Sequence, residues 1–448
     1  MKNLILILIA MTTFSSCNDE FLNLPPTTGV SDNNLNDLGS MQSLVYGSYS
    51  DARNFVSRTS LFAAAMVRDI QVRQGFGLET FFDHQLNSGG GAIWDSGYKA
   101  LGSLNIVATS TLNDMPGSES QKNSIRGDMH FLRALIYFDL NNYYTLPSTG
   151  YSVPLVLTPI GVNDRVSCAL SSDISAQIES DIELARTYFA TNSGVANYLA
   201  ATALAARIYF YHKKYDLAYE RANEVISSGT FQLGASVTDP FNNPGSSPEI
   251  IFSLKYNAAE NNNNPSNQYF SAYQAKANRG SASLNPESLV AQLRNADPND
   301  YRHAQLFKSA TGLIFANGKY PTDRMDYIFI RLAELYLTRA EANIMKNNSV
   351  SQQDVDDVNL IKNRANASDV ITTIPSAQDA LEALYAERTK EMAFERGDHY
   401  FNTRRLQRGI IKTSSEGSGL KPFSEYADIL AFPFPTTEID IHGLTRTP

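Results

Sequence analysis

Cysteine is almost absent: the 448-residue chain has two, Cys17 and Cys168. Cys17 closes an N-terminal apolar leader, which leaves Cys168 without a partner. No intramolecular disulfide is expected, and stability must come from packing. The six histidines (His84, His130, His212, His303, His399, His442) are scattered, and neither Cys-x-x-Cys nor His-Glu-x-x-His occurs. Nothing therefore has the spacing of a zinc site, and no metal or other cofactor is expected. Basic residues are outnumbered, 37 Lys and Arg against 46 Asp and Glu, for a net charge of -9 without a long basic run. This argues against nucleic acid as a partner. There is no Gly-x-Ser-x-Gly elbow, P-loop or Rossmann glycine pattern, so no enzyme is expected. The leading apolar run, Leu4 to Ala10, is too short to span a bilayer as a permanent helix. Tryptophan occurs once, as Trp94, against 23 Tyr and 23 Phe. Tyrosine serves both as a half-buried packing residue and as a platform for sugars or peptides, and composition leaves both open.

What is present begins with Lys2, the short apolar run and Phe14-Ser15-Ser16-Cys17. Residues 1–16 read as a signal peptide. The small residues before Cys17 resemble a bacterial lipobox, in which cleavage makes this cysteine the acylated N-terminus; the alternative is an ordinary signal peptide with a coincidental cysteine. Residues 17–36, with Pro25-Pro26-Thr27-Thr28, read as a tether, or as an arm wrapped over the body.

Helical spacing then covers Leu38 to about Phe55 and, as a second helix, Ser60 to Val67. It breaks between Asp69 and Asn87, where charges, glycines and Phe76, Phe81 and Phe82 mix in a way common to functional loops. Helix resumes after the glycines, with Trp94 as a core anchor or a sugar platform. A small residue precedes a larger one by three positions at Ala134 and Tyr137, Ala206 and Tyr209, and Ala340 and Asn343. Ala218 and Ala222 follow the second pair near tetratricopeptide spacing, which indicates degenerate helix pairs. Taken alone, such repeats suggest a protein-binding scaffold. Residues 143–169 read as a loop with short extended pieces. From 231 to 326 the helical period fades around a strand at Ile250 to Leu254, an Asn-rich turn and the aromatics Tyr256, Tyr269, Phe270, Tyr273, Tyr301 and Tyr320. So long an irregular insertion suggests function.

Three closely spaced helices are expected between Tyr327 and Arg405. The first carries Ile328, Leu332, Leu335, Tyr336 and Ala340 on one face. The second carries Val355, Val358 and Ile361, and the third Leu381, Leu384, Tyr385 and Met392. Arg388 falls inside the third apolar stripe, so it should be at least partly buried and paired with Glu334, Glu341, Glu391 or Glu395. Glu387, Glu391 and Glu395 recur every four positions among Arg388, Lys390 and Arg396. That alternation reads as a salt-bridged structural face rather than acid/base machinery.

In order, RLAELYLTRAEAN, VNLIKNRAN, ERTKEMAFERGDHYFNTRR and FPFPTTEI resemble the C-terminal signature of the SusD/RagB family of nutrient-binding outer-membrane lipoproteins. His399 and Asn402 stand where that family usually has Arg and Asp, and the ending TRTP replaces its usual Asn-Pro. Asn18, Asp19 and Glu20 resemble the family's signal for surface display. The resemblance implies a mainly α fold, with tetratricopeptide-like helix pairs forming a helical body and an irregular, loop-rich insertion containing short strands. The helical parts are 37–230 and 327–448, and the insertion, 231–326, is the expected ligand-binding side.

The resemblance further implies a lipid-anchored outer-membrane protein facing the cell exterior. It would capture oligosaccharide and deliver it to a SusC-like TonB-dependent transporter. Ligands of SusD-type relatives sit on loops from the same two irregular regions, where flat rings and Asp, Asn or Arg can hold sugars. The candidates are Asp69, Arg73, Phe76, Phe81, Phe82 and Asn87 in the first region and Tyr269, Tyr273, Asn278 and Arg279 in the second. Alternatives are peptide cargo, as in RagB-type relatives, a scaffold without a small ligand, and a glycosidase.

Overall fold

A computed structural model describes residues 35–72, 77–85, 91–161, 164–191, 193–255, 282–310, 312–322, 325–413 and 416–446. The fold is mainly α, with fifteen helices and five short two-stranded sheets among these residues. The N-terminal half runs α1 (Leu38–Met66), β1 (Ile70–Val72), α2 (Glu79–Phe82), α3 (Gly91–Thr109), α4 (Glu119–Tyr144), β2 (Tyr151–Pro154), β3 (Cys168–Leu170), α5 (Ser171–Phe189), α6 (Tyr198–Tyr211) and α7 (Tyr215–Ser227). The irregular region holds α8 (Asp239–Asn242), β4 (Ile250–Leu254), β5 (Ala282–Leu284), α9 (Leu289–Ala296), α10 (Tyr301–Gln305), β6 (Lys308–Ala310) and β7 (Leu313–Phe315). Then come β8 (Tyr327–Arg331), α11 (Leu332–Asn347), α12 (Gln352–Arg364), α13 (Ala377–Glu391), α14 (Asp398–Leu406), β9 (Ile410–Ile411), β10 (Leu420–Lys421) and α15 (Thr436–His442).

Local chemistry explains the main boundaries. Asp37 caps α1 by accepting from the Ser40 amide at 2.9 Å, and Ser118 with Gln121 forms a capping box on α4. The two helices expected between Leu38 and Val67 are one 29-residue helix. The polar stretch around Ser57 to Ser60 does not break it, because Thr59 and Ser60 donate back to carbonyls of the preceding turn, including Val56 O at 3.0 and 2.9 Å. Ile328 is likewise not helical. The β-branched and aromatic run Tyr327–Arg331 forms a strand on β4, with Phe252 opposite Ile330 and Leu254 opposite Tyr327, and the helix starts at Leu332.

The helices α4, α5, α6, α7, α11 and α12 pack each on the next, although α7 and α11 are separated by the whole irregular region. Small residues permit the close approach: Ala203, Ala206, Ala218, Ala222, Ala333 and Ala340 are all fully buried. Leu337, Ile344, Val358, Ile361 and Leu384 complete the apolar contact of α11 with α12 and α13. Trp94 is a core anchor, only 4% exposed, with its ring 4.6 Å from Tyr98, 5.3 Å from Tyr144 and 5.2 Å from Phe434. No helix among the described residues is long and apolar enough to cross a membrane.

The carboxylates Glu387, Glu391 and Glu395 are structural, but they do not lie on a solvated face. All three are buried. Arg302 reaches Glu387 at 2.7 Å and Glu391 at 3.0 Å, and Arg331 reaches Glu391 at 2.6 Å, Glu395 at 2.7 Å and Glu249 at 2.9 Å. Lys319, Lys362, Arg364 and Lys390 join from the sides. The connected set balances six cations against six carboxylates, the remaining two being Asp300 and Asp369. Burial alone would raise the Glu391 carboxyl. Arg364, Arg331 and Arg302 outweigh it and hold Glu391 well below the usual carboxylate range.

Arg388 is buried as expected, but its main partner is a different carboxylate. Asp398 takes its Nε and Nη2, the latter at 2.7 Å, while Thr338 accepts at 3.0 Å and the Phe210 ring lies 4.9 Å away. Of the four glutamates anticipated, only Glu334 approaches, at 3.8 Å, because Arg207 already holds it through two nitrogens. Glu341 pairs instead with Arg405.

Removing one partner from a buried ionic set strands the others, so Arg331→Met is expected to lower stability by about 3 to 5 kcal/mol. Urea unfolding at neutral pH measures this. Lys99→Met, which deletes the exposed pair of Lys99 with Asp51, should cost less than about 1 kcal/mol.

Candidate functional site

The two irregular regions meet in a three-rung antiparallel ladder, with Ile70 opposite Leu284, Gln71 opposite Ser283 and Val72 opposite Ala282. Strands this short are not stable alone. These hold because Ile70 and Leu284 are buried and because Asn285 extends the contact, its amide donating to Asp69 O and its Nδ2 to Arg68 O, both at 2.9 Å. Chain leaves β1 at Val72 and enters β5 at Ala282, and these two residues are partners. The described chain before residue 73 and after residue 281 therefore meets at one place.

Three of the sequence candidates fall on described residues. Asp69 is buried and its Oδ2 accepts from His399 Nδ1 at 2.7 Å, so it anchors the base of the loop and does not present itself to a ligand. Phe81 is 2% exposed, stacked on Phe62 at 4.3 Å and edge-on to Phe432 at 5.3 Å, which makes it part of the core. Phe82 is half-buried, with the Arg68 guanidinium 5.9 Å from its ring centre. Arg73, Phe76, Asn87, Tyr269, Tyr273, Asn278 and Arg279 lie outside the described residues, as does Cys17. Of the other aromatics, Tyr320 is buried with its hydroxyl donating to Phe394 O at 2.7 Å, and Tyr301 is exposed.

Arg68 and His399 were not among the candidates, yet they secure the site's base. Arg68, in a left-handed backbone conformation (φ 60°), donates to Phe82 O at 3.2 Å, to Ile411 O at 2.6 Å and to Glu416 at 2.6 Å. It ties residues 77–85 to the β9–β10 hairpin and holds the Glu416 carboxyl well below its usual range. His84 completes the join. Met66 O can only accept, so the His84 Nε2 proton points to it at 2.8 Å and Nδ1 accepts from Arg68 at 3.3 Å. Burial, aided by the Arg68 charge, pushes the His84 imidazole down to about 4. His399 behaves oppositely. Burial would lower it, but the Asp69 carboxylate and its hydrogen bond prevail and raise it. No short-range pattern marks either residue, since their partners are up to 348 positions away.

A cleft of about 380 Å³ adjoins this base. Val67, Leu289, Leu293, Ile411 and Leu420 form its apolar wall. Tyr385 and Arg408 supply its polar rim, with the Arg408 guanidinium 4.6 Å above the Tyr385 ring and 2.7 Å from Glu382. An apolar wall beside a guanidinium and a carboxylate can seat one face of a sugar ring or a side chain while bonding its polar edge. Among the described residues no group of His, Cys, Asp and Glu is placed to hold a metal ion.

Two family models match separate parts of the chain: one described as the SusD family over residues 290–421, and one described as starch-binding and associating with the outer membrane over residues 21–210. A SusD-like protein, P25, of Formosa agariphila is 28% identical over 166 residues, 36% of this chain; the match spans 31% of that relative's length. A crystal structure of a SusD superfamily protein from Bacteroides thetaiotaomicron superposes with a TM-score of 0.77 at 23% identity, covering 92% of this chain and 100% of that one. A laminarin-binding SusD-like protein superposes with a TM-score of 0.71 at 19% identity, covering 92% and 98%.

The two histidines make opposite contributions with pH. His84, depressed on folding, stabilises the fold above its unfolded value of about 6.5, and that contribution is lost as pH falls toward 4. His399, raised on folding, contributes fully below about 6.5 and loses its contribution as pH rises through its folded value. Thermal unfolding across pH 4 to 9 should show His84→Gln flattening the acid side of the profile and His399→Gln the alkaline side.

Proposed function

Because the chain belongs to the SusD/RagB family, we propose that it is a lipid-anchored protein of the outer-membrane surface that captures oligosaccharide and delivers it to a SusC-like TonB-dependent transporter. The observation that carries this reading is the β1–β5 ladder. It pairs Val72 with Ala282, which border the two segments that carry the candidate aromatics and amides, and a glycan held between flat rings and hydrogen-bonding side chains of both segments needs them to start close together. Arg73, Phe76, Asn87, Tyr269, Tyr273, Asn278 and Arg279 supply those residue types. The laminarin-binding neighbour supports a glycan as cargo. Capture is non-covalent: the aligned Glu387, Glu391 and Glu395 are buried and engaged by cations, which leaves them no part in acid/base chemistry. Delivery follows with the protein seated as a lid over the barrel. Acylation at Cys17 supplies the anchor, and Asn18-Asp19-Glu20 the signal for outward display.

Burial of the sole tryptophan favours a second reading within the same role. With Trp94 in the core, stacking falls to Tyr and Phe, which suit peptide cargo as well as sugar.

Cys17→Ala is expected to move the protein out of the membrane fraction and abolish palmitate labelling; continued labelling would end the lipoprotein assignment. In calorimetry against a broad glycan panel, the mature protein should bind at least one oligosaccharide, and Tyr273→Ala should weaken it about fivefold. Silence across the glycans with heat from peptides would transfer the role to peptide cargo.

A further inference from the structure

A second cleft, of about 600 Å³, opens where the end of α4, the start of α5, the turn between α6 and α7, and α14 meet. Four cations line it, Lys213, Lys214, Arg404 and Arg405, against one carboxylate, Glu179. In a chain of net charge -9 this is a local reversal of sign. The cations differ in what already occupies them. Lys214 is paired with Glu179 and Arg405 with Glu341. Arg404 donates to the Tyr400 hydroxyl at 2.9 Å and the Thr145 carbonyl at 2.7 Å, which fixes its position without cancelling its charge. Lys213 is exposed and its ammonium meets no acceptor among the described residues. A left-handed backbone at Lys213 (φ 59°) makes the turn that carries it to the cleft.

The other walls add donors. The 19-residue α5 begins here at Ser171; its N-cap, Leu170, supplies no capping side chain, the Ser171 amide is taken by Gly150 O, and Asp173 is the one acidic residue of the first turn, so the anion-binding character of the cleft rests on its side-chain cations. Ser172 and Asn142 present polar side chains on the same walls. Of the Tyr and Phe side chains present, Phe401 is buried and the Tyr211 ring packs against Phe138, Phe210 and Phe401, so the cleft offers little open ring face to a sugar. A neutral glycan needs such rings, whereas a compact anion needs cations and N–H or O–H donors.

We infer that this cleft binds a carboxylate or sulfate group carried on an oligosaccharide, a contact point separate from the loops rooted on the β1–β5 ladder. That the anion is part of a glycan rests on the glycan-capture reading.

Calorimetry with the mature protein tests it, using oligogalacturonate, a sulfated gluco-oligosaccharide, a neutral gluco-oligosaccharide of equal length, and inorganic sulfate. The acidic oligosaccharides should bind more weakly as salt rises. Lys213→Glu should weaken them about tenfold and Lys213→Ala by less, with neutral ligand unaffected. Lys213 lies on an exposed turn, so both variants should fold, which circular dichroism checks. Acidic oligosaccharides that give no heat, or that bind wild type and Lys213→Glu alike, overturn the site. Sulfate binding as tightly as the sulfated glycan overturns the assignment to an oligosaccharide. Neutral glycan binding alone would overturn the cleft and leave glycan capture standing, whereas loss of neutral binding with acidic binding retained and sensitive to Lys213 supports the cleft and removes a neutral cargo.

Discussion

The fold depends on one buried ionic interaction, the contact of Arg331 with Glu249, Glu391 and Glu395. These four residues come from the end of β8, the residue before β4, the end of α13 and the turn after it. An uncompensated charge at any of them would be costly in an apolar interior, so the set is stable only when all the elements are docked together. Arg302 and Lys319, from the irregular region, enter the same network. A long insertion with little regular structure is thereby held to the helical body by charge pairs as well as by apolar burial.

This arrangement separates two jobs. Residues 327–405 carry the most recognisable pattern in the chain, and their polar groups are used internally: Arg388 on Asp398, Arg339 on Asp357, Arg405 on Glu341. They position other parts of the molecule. His399 shows how the two jobs connect. It belongs to α14 but reaches Asp69 at the foot of the first irregular segment, so the scaffold sets where that segment begins. Asn402, the other departure from the family pattern, bonds to Asp398 and to Tyr211 and is satisfied in place. At both positions the side chain is satisfied, His399 by Asp69 and Asn402 by Asp398 and Tyr211.

Much of this was legible in the sequence wherever the signal was local. The apolar spacing of α12 and α13 and the strand at Ile250–Leu254 follow from short windows. What escaped was non-local. Tyr327–Arg331 reads as the start of a helix from the apolar spacing alone, and it becomes a strand because β4 is beside it. Asp69 looks like a ligand residue because its partner, His399, is 330 positions away, and Phe81 looks available until Phe62 and Phe432 enclose it. Arg68 gives no sign of its role, since Ile411 and Glu416 lie near the other end of the chain. The cationic cleft was invisible for the same reason: its lysines and arginines come from two helical segments about 190 residues apart.

The central claim is that the C-terminal helices carrying the family-like pattern support the molecule while the regions joined by the β1–β5 ladder are proposed to receive the cargo. Hydrogen exchange measured by mass spectrometry, with and without a saturating oligosaccharide, tests it directly. Slower exchange should appear in peptides covering residues 69–87 and 256–322, with 332–391 unchanged, because amides protected by a ligand are those it orders or covers. Protection concentrated in 332–391, with the ladder and its flanking segments unaffected, would contradict it.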